Sequence, residues 1–447
     1  METYAATVLV PMAASCHHRA GVSSVKMVVR FAARLVPALL ILGLAADATA
    51  AEEPSGAEPT LDGRPVVIVL SMDGVRHDQI DREGLPAFER MIREGLRAER
   101  LRPVFPAVTF PNHVALATGA PVDRHGIVAN EFHDRKRGDF RYANDASWIE
   151  AEPLWVAAER QGVTSASFFW VGSETDWQGV GARYRKSPFD SEIGEDVKVD
   201  QILAWLDLPA AERPGLVMSW WHGADSAGHR AGPDAERTTE QLRSQDRELA
   251  RLLAGLDERH AWVRTTLIVV SDHGMVSVAD PIDPWAALDE AGIEARLFAT
   301  GGLANVYLDD AADLERAVAT LGALEDVTAY TAETLPERLR YRHPARIGDV
   351  VILTKPPRFF LESWTARAAM YRAAWLAGLE PGRHGYDPDG QPDLHGIFLA
   401  LGRGVAPGTR IGTVSALDVA PTVATLLGID PPRDAEGSPL AAIAPPR

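Results

Sequence analysis

The sequence predicts an α/β protein with a mostly parallel central sheet sandwiched by helices, and with an inserted α+β cap. Continuous apolar, largely β-branched runs at 66–70 and 267–270 are typical of strands buried on both faces. Segments with helical spacing of apolar residues alternate with such runs, as in parallel sheets covered by helices. The 447 residues, 46% of them hydrophobic, favour one large domain with an insertion, or two domains.

The elements of the main domain follow one another in the expected alternation. The helix after the first strand carries Leu85, Phe88 and Met91 on one face and is expected to stop at Gly95. The remaining predicted elements are a strand at 216–218, a long charged helix at about 234–256, a strand at 267–270, a last strand at 397–401 and a helix at about 416–427.

The stretch 280–383 has a less regular pattern, with short strand-like pieces around a helix near 311–321. We expect it to form a cap beside the main sheet, which would divide the main domain into 51–279 and 384–447. Whether this cap shapes a ligand pocket or is purely structural stays open at this level.

The first fifty residues are typical of a secretory signal. Lys26, Arg30 and Arg34 precede an apolar run at 35–46, and small residues follow at 48–50. The run is too short to span a bilayer comfortably. We therefore expect cleavage near Ala50/Ala51, a periplasmic or secreted protein, and no membrane span after signal removal. An uncleaved anchor is the alternative, and translation could start at Met1 or at Met27.

Charge and cysteine content exclude several classes. The formal net charge of −17 argues against a binder of nucleic-acid polymers, which would present a basic surface. The single cysteine, Cys16, lies in the predicted signal. An intramolecular disulfide framework, a Cys-rich zinc site and an iron–sulfur cluster are therefore excluded.

Carboxylates and histidines follow three predicted strands. Asp73, Asp225 and the pair Asp272-His273 stand there, and ligands of open α/β sheets bind outside the carboxyl ends of strands. His229 lies four residues after Asp225, and His395 precedes the last strand. Oxygen and nitrogen ligands without thiolate suit zinc, with manganese open. The alternatives are structural roles: turn or cap residues for the strand-end aspartates, a helix-start ion pair for Asp225 and His229, and a loop histidine for His395.

Thr109 is a candidate nucleophile. Pro111 suits the first turn of a helix, which would place Thr109 beside backbone N–H groups that favour an anion. A threonine hydroxyl needs a base or a metal to become nucleophilic at neutral pH. An ordinary helix cap is the alternative for Thr109.

Taken in order, these segments resemble the nucleotide pyrophosphatase/phosphodiesterase family of the alkaline phosphatase superfamily. The resemblance spans nearly the whole chain after the predicted signal. It is carried by Val66-Val67-Ile68-Val69, Asp73-Gly74-Val75-Arg76, Thr109-Phe110-Pro111-Asn112-His113, His125-Gly126-Ile127, Asn130, Asp225-Ser226-Ala227-Gly228-His229-Arg230-Ala231-Gly232-Pro233, Ser271-Asp272-His273-Gly274-Met275 and His384-Gly385-Tyr386-Asp387.

The resemblance implies two Zn²⁺ per chain. Such a pair can clamp the attacking and leaving oxygens of an in-line displacement at phosphorus. By the resemblance, one zinc would be held by Asp225, His229 and His395, and the other by Asp73, Asp272, His273 and the nucleophile Thr109.

The resemblance also implies substrate contacts. Asn130 would hydrogen-bond a non-bridging phosphate oxygen together with the Phe110 backbone N–H. The Phe110 ring would flank the organic group, and Trp220 would stack on a nucleobase. The family commonly has Glu-Pro where this chain has Gly223-Ala224, so the nucleotide preference is not carried over.

The implied activity is hydrolysis of small phosphodiester or nucleotide substrates through a phosphothreonine. One alternative is a phospholipid-headgroup or glycerophosphodiester phosphodiesterase, with Trp177, Trp220 and Trp221 as a candidate choline cage. Another is a non-catalytic extracytoplasmic metal- or ligand-binding protein. A sulfatase would need a Cys or Ser that becomes formylglycine, and an alkaline phosphatase would use serine with an arginine clamp. The oligomeric state stays open.

Overall fold

The computed structural model describes residues 63–361 and 381–444. The strands in chain order are β1 (Val66–Met72), β2 (Leu96–Ala98), β3 (Leu101–Arg102), β4 (Glu131–Asp134), β5 (Gly138–Arg141), β6 (Ser165–Phe168), β7 (Tyr184–Lys186), β8 (Leu216–Trp221), β9 (Thr265–Val270), β10 (Val276–Ser277), β11 (Pro281–Ile282), β12 (Ala295–Thr300), β13 (Leu303–Leu308), β14 (Thr328–Thr331), β15 (Val350–Leu353), β16 (Phe359–Phe360), β17 (Gly382–Arg383), β18 (Phe398–Gly402), β19 (Thr409–Ile411) and β20 (Val414–Ser415).

The α-helices of the described residues are interspersed with the strands along the chain. They are α1 (Pro86–Glu94), α2 (Thr109–Thr118), α3 (Val122–His125), α4 (Leu154–Arg160), α5 (Glu195–Leu206), α6 (Gly223–Ala231), α7 (Glu236–Glu258), α8 (Pro284–Glu290), α9 (Leu314–Gly322) and α10 (Val419–Leu427).

The main sheet has eight strands in the order β19-β2-β18-β9-β1-β8-β6-β7. Strand β1 lies in its middle and pairs in parallel with β8 and β9, and every residue of these three strands is buried. Only β18 runs antiparallel, to β9 and to β2. The predicted α/β class with a mostly parallel sheet is therefore confirmed.

At the predicted end of the first helix, the backbone lies very close to strand β18. Helix α1 ends at Glu94, and Gly95 follows it. A Cβ on Gly95 would lie 2.1 Å from the carbonyl oxygen of Ala400 in β18. The glycine therefore lets the helix end pass directly against the sheet, because any side chain there would collide with the β18 backbone.

A second, four-stranded sheet lies in the stretch expected to be a cap. Its order is β12-β13-β15-β14, and all its pairs are antiparallel. Helices α8 and α9 supply Leu288 and Leu321 to an apolar cluster that also contains Val306, Ile352 and Phe360. This cluster is separate from the core of the main sheet, so the segment has the α+β composition that the sequence predicts.

The predicted signal segment, 1–50, falls outside the described residues. Within 63–361 and 381–444, no helix combines the length and the apolar character needed to cross a membrane.

Candidate metal centre and nucleophile

Strands β1, β8 and β9 bring three carboxylates together at their carboxyl ends. The backbone N–H of Asp225 donates to the Asp73 carbonyl oxygen at 3.1 Å, and that of Gly74 donates to Asp272 Oδ1 at 3.1 Å. Gly74 has a φ of +70°, and a Cβ there would lie 3.0 Å from Asp225. A glycine is therefore needed for the three strand ends to approach so closely.

Two groups of acidic and histidine side chains have ligand atoms within 4.8 Å of one another. Asp73, Asp272 and His273 form the first group, which is buried, and His273 also belongs to the second group with Asp225 and His384. His229 adjoins the second group, because its Nε2 lies 3.3 Å from Asp225 Oδ1. The convergence of strand-end residues that the sequence predicts is thus present in the fold.

The imidazoles of this cluster are oriented alike. The Nδ1 atoms of His229, His273 and His384 lie 2.9–3.0 Å from backbone carbonyl oxygens, those of Gly382, Gly274 and Ala107. A carbonyl only accepts, so Nδ1 of His273 and of His384 carries a hydrogen and the Nε2 atom is the one turned to the cluster. Metal-ligating histidines are held in this way in proteins. The Nδ1 of His229 also lies 3.0 Å from Arg383 Nη1, which only donates.

The carboxylates also fit a cation. Asp73 Oδ1 and Asp225 Oδ1 are buried, and neither has a hydrogen-bond partner within the described ranges. Burial, reinforced by the charges of Asp272 and Asp225, raises the pKa of Asp73 well above its usual value. Burial and the neighbouring imidazoles lower the pKa of His384 well below its usual value, which leaves it neutral. Unpaired carboxylate oxygens beside neutral imidazoles are a donor set for zinc.

His384 replaces His395 in this cluster, which corrects the sequence-based assignment. His395 Nε2 faces the Pro388 carbonyl oxygen at 3.0 Å, and in the described part of the chain His395 joins neither group. His395 is a candidate because it precedes the last strand, and the resemblance assigns it to the zinc held by Asp225 and His229. His384 belongs to the His384-Gly385-Tyr386-Asp387 motif, which is one of the segments that carry the family resemblance. The sequence therefore contains a signal for this histidine.

Thr109 is the first residue of α2, and the capping position belongs to Val108. Its hydroxyl Oγ1 lies 3.3 Å from His273 Nε2, and Thr109 is 7% exposed. The structure thus directs the hydroxyl towards the carboxylate and imidazole cluster. The alternative of an ordinary helix cap is not supported.

Asn130 and Phe110 are in contact, although not as expected. The backbone N–H of Phe110 donates to Asn130 Oδ1 at 2.8 Å, so it is engaged by the asparagine and is not directed at a ligand. This bond fixes the orientation of the amide, whose remaining donor group is Nδ2. The Phe110 ring is buried and meets the edge of Tyr142, which is 49% exposed.

Trp220 also differs from its expected role. It is 7% exposed, Phe189 stacks on its ring at 4.9 Å, and its indole N–H donates to Asp73 Oδ2 at 2.9 Å. A nucleobase therefore has no open face of Trp220 to stack on. Trp177 and Trp221 are buried as well, so the three tryptophans form no open choline cage.

The sheet, the carboxylate and histidine cluster and the adjacent threonine define the class of hydrolases that cleave phosphodiester and pyrophosphate bonds. The family model described as type I phosphodiesterase / nucleotide pyrophosphatase matches residues 67–387. The chain belongs to this family, as the sequence resemblance predicts.

Named relatives and solved structures support the same family assignment. The chain is 28% identical to the bis(5'-adenosyl)-triphosphatase enpp4 of Xenopus laevis over 84% of this chain and 80% of the relative. It is 31% identical to an uncharacterized pyrophosphatase/phosphodiesterase of Schizosaccharomyces pombe, over 75% and 71%. Murine ectonucleotide pyrophosphatase/phosphodiesterase 5 superposes with a TM-score of 0.74 at 26% identity, covering 82% of this chain and 95% of that one. An inactive variant of the murine protein has been solved in complex with AMP, with the same scores and coverage.

Proposed function

We propose that this hydrolase uses two zinc ions and a covalent phosphothreonine at Thr109. The observation that carries the proposal is the 3.3 Å distance from Thr109 Oγ1 to His273 Nε2, at the residue shared by the two donor groups. A cation held by the cluster would lower the pKa of a hydroxyl placed there, so that the hydroxyl loses its proton to solvent at neutral pH and becomes nucleophilic.

Six aspartate and histidine side chains, together with the Thr109 hydroxyl, are proposed to hold the metals. They combine carboxylate and imidazole donors without sulfur, which suits zinc. Zinc there would neutralise charge on the phosphoryl group and lower the pKa of oxygen nucleophiles. One site would consist of Asp73, Asp272 and His273 with Thr109, and the other of Asp225, His229 and His384.

The residues of the chain divide the reaction between them. Thr109 Oγ1 attacks phosphorus in line with the departing alcohol or phosphate, and a phosphothreonine forms. Water then displaces Thr109 Oγ1 and releases the phosphomonoester. Asn130 Nδ2 donates to a non-bridging oxygen throughout, because its Oδ1 is held by the Phe110 N–H. Two inversions leave the configuration at phosphorus unchanged.

Turnover of bis-p-nitrophenyl phosphate by the zinc-loaded protein tests this proposal. Thr109→Ala should abolish turnover while the protein keeps its zinc. Thr118→Ala is the matched control, since Thr118 lies at the other end of α2 and its hydroxyl donates to the Val114 carbonyl oxygen. Undiminished turnover by the Thr109 variant would contradict the mechanism.

Small nucleotides are the proposed substrates. The Xenopus relative is named a bis(5'-adenosyl)-triphosphatase, and AMP is bound in the murine structure. The net charge of −17 disfavours nucleic-acid polymers. Purified protein should therefore cleave dinucleoside polyphosphates faster than glycerophosphocholine or a phosphomonoester. A preference for glycerophosphocholine would favour the headgroup hydrolase instead.

Export is proposed from the predicted signal at 1–50. Fractionation of expressing cells and N-terminal sequencing test it: the mature protein should be extracytoplasmic and begin near Ala51. An intact N-terminus in the membrane fraction would indicate the uncleaved anchor.

The cap at 280–383 is proposed to support the metal centre. In the chain it would separate two parts of the core, 51–279 and 384–447. The turn between β12 and β13 passes so close to the His384 loop that a Cβ on Gly301 would lie 1.6 Å from the His384 carbonyl oxygen. Gly301 also accepts the backbone N–H of Phe360 at 2.8 Å, and its φ is +52°. The cap thereby backs the segment that presents His384.

A further inference from the structure

Trp220 is a buried residue whose single polar atom is directed at the candidate metal centre. Its indole N–H donates to Asp73 Oδ2 at 2.9 Å, and the two residues are 147 positions apart in the chain. The opposite oxygen, Asp73 Oδ1, is buried and finds no hydrogen-bond partner in 63–361 or 381–444. The two oxygens of one carboxylate are thus used differently: protein holds Oδ2, and Oδ1 is left for a cation.

The donor itself is held firmly. The ring stacks on Phe189 at an interplanar angle of 24°, and His113 meets it edge-on with centroids 5.3 Å apart. The buried Lys198 ammonium donates to the Trp220 carbonyl oxygen at 2.9 Å. Trp220 therefore has contacts on its ring and on its backbone.

The main sheet fixes the distance between donor and acceptor. Trp220 pairs with Ser71 in the parallel register of β1 and β8. At the end of this pairing, the Asp73 N–H donates to the Trp221 carbonyl oxygen at 2.8 Å. Because both backbones belong to the same ladder, the sheet fixes the backbone positions from which the indole N–H and the carboxylate reach each other.

We propose that Trp220 is a positioning residue that orients the Asp73 carboxylate, so that Oδ1 faces the metal shared with Asp272 and His273. This inference rests on the proposed function. Hydrogen bonds to a ligating carboxylate set its orientation, and removing such a partner commonly costs about 10- to 100-fold in metal affinity. The effect should be confined to the site that contains Asp73.

Trp220→Phe is the informative variant, because it keeps an aromatic ring and removes the N–H. Trp221→Phe is the matched control: Trp221 is adjacent and fully buried, and its Nε1 has no hydrogen-bond partner in the described structure. Zinc affinities of both sites are measured by competition with a chromophoric chelator. We expect Trp220→Phe to weaken one of the two sites by about 10- to 100-fold. Trp221→Phe should leave both sites near the wild-type values.

Equal zinc affinities in Trp220→Phe and Trp221→Phe would overturn the inference. This holds whether both variants bind zinc as tightly as the wild type or both bind it more weakly. If Trp220→Phe does not fold, the wild-type protein supplies the test by NMR. Zinc loading should shift the Trp220 indole proton resonance and leave that of Trp221 in place, and an unmoved Trp220 resonance would overturn the inference.

The failure of this inference can be told apart from the failure of the proposed function. If the wild-type protein binds zinc and depends on Thr109 for turnover, but the two tryptophan variants have equal zinc affinities, only the role of Trp220 is contradicted. A wild-type protein that binds no zinc would overturn the proposed function as well.

Discussion

The Nε2 atoms of His229 and His384 lie 3.1 Å apart, although the two residues are separated by 155 positions in the chain. The Nδ1 of His384 donates to the Ala107 carbonyl oxygen at 3.0 Å, and burial lowers the pKa of His384 well below its usual value, so its Nε2 has a free lone pair. Asp225 Oδ1 lies 3.3 Å from His229 Nε2 and 3.6 Å from His384 Nε2, so three potential ligand atoms lie close together. The pair therefore favours a metal held by His229 and His384.

His384 and His395 should differ in zinc binding. His384→Ala removes a proposed ligand, and we expect at least about a 10-fold loss of zinc affinity at one site. His395→Ala should keep both sites, since His395 Nε2 is engaged with the Pro388 carbonyl oxygen. Metal content after dialysis against a chelator buffer measures the difference, and thermal unfolding confirms that both variants fold. Zinc loss in the His395 variant alone would restore the sequence-based assignment.

Asn130→Asp should reduce turnover of phosphodiesters without loss of zinc. The aspartate keeps an oxygen acceptor for the Phe110 N–H but replaces the amide donor with a negative charge beside the phosphate. Loss of one such donor commonly costs about 100- to 1,000-fold in rate. Steady-state kinetics on bis-p-nitrophenyl phosphate measure it, with Asn144→Asp, a change at a residue whose amide donates to Glu174, as the control. Wild-type kcat/KM in Asn130→Asp would exclude the asparagine from catalysis.

Removal of metal should lower the thermal stability. Asp73 is buried beside Asp272 and Asp225, and burial together with their charges raises the pKa of Asp73 well above its usual value, so a cation bound there would stabilise the folded state. A ligand that binds only the folded state at about 1,000 times its Kd adds roughly 4 kcal/mol to the free energy of unfolding. Calorimetry of the chelator-treated protein before and after zinc addition should show Tm rising with zinc. A Tm that does not respond to zinc would contradict a metal centre in the folded state.

Gly301→Ala should disturb the His384 segment. The new Cβ would overlap the His384 carbonyl oxygen, and the φ of +52° is unfavourable for alanine. We expect weaker zinc binding and a lower Tm. Gly412→Ala is the matched control, since a Cβ there meets no atom of the described chain within 4 Å. Equal zinc affinity in the two variants would show that the β12–β13 turn does not support the metal centre.

His125 should contribute a pH-dependent part of the stability away from the metal centre. Burial, with the nearby charge of Arg346, lowers the pKa of His125 to about 3. Below about pH 6.5 the unfolded state binds a proton that the folded state does not, so stability falls as pH falls from about 6.5 towards 3. The slope is at most about 1.4 kcal/mol per pH unit.

His125→Gln removes this titration. We expect the unfolding free energy of the wild type, relative to the variant, to drop by about 1 kcal/mol between pH 7.5 and pH 5.5. Urea denaturation at the two pH values measures it, and contributions from other groups cancel in the comparison. A difference that stays constant with pH would show that His125 is not kept neutral by the fold.

The sequence by itself determined the sheet and most of the cluster. The apolar, β-branched run of β1 is typical of a buried strand, and Asp73, Asp225 and Asp272 follow strands whose carboxyl ends share one edge of the sheet. These are local patterns combined with a general rule of α/β topology, so they need no knowledge of long-range packing. The helix-start position of Thr109 follows in the same way from Pro111.

Only the tertiary structure decided between His384 and His395, and between a stacking and a positioning role for Trp220. Both histidines lie in loops beside a strand, and which imidazole presents a free Nε2 depends on the carbonyl that faces its ring: Ala107 holds Nδ1 of His384, and Pro388 holds Nε2 of His395. Those partners are set by packing between segments far apart in the chain. A sequence pattern specifies which side chains can bind a metal, but the direction of each lone pair is fixed only when the backbones around it are in place.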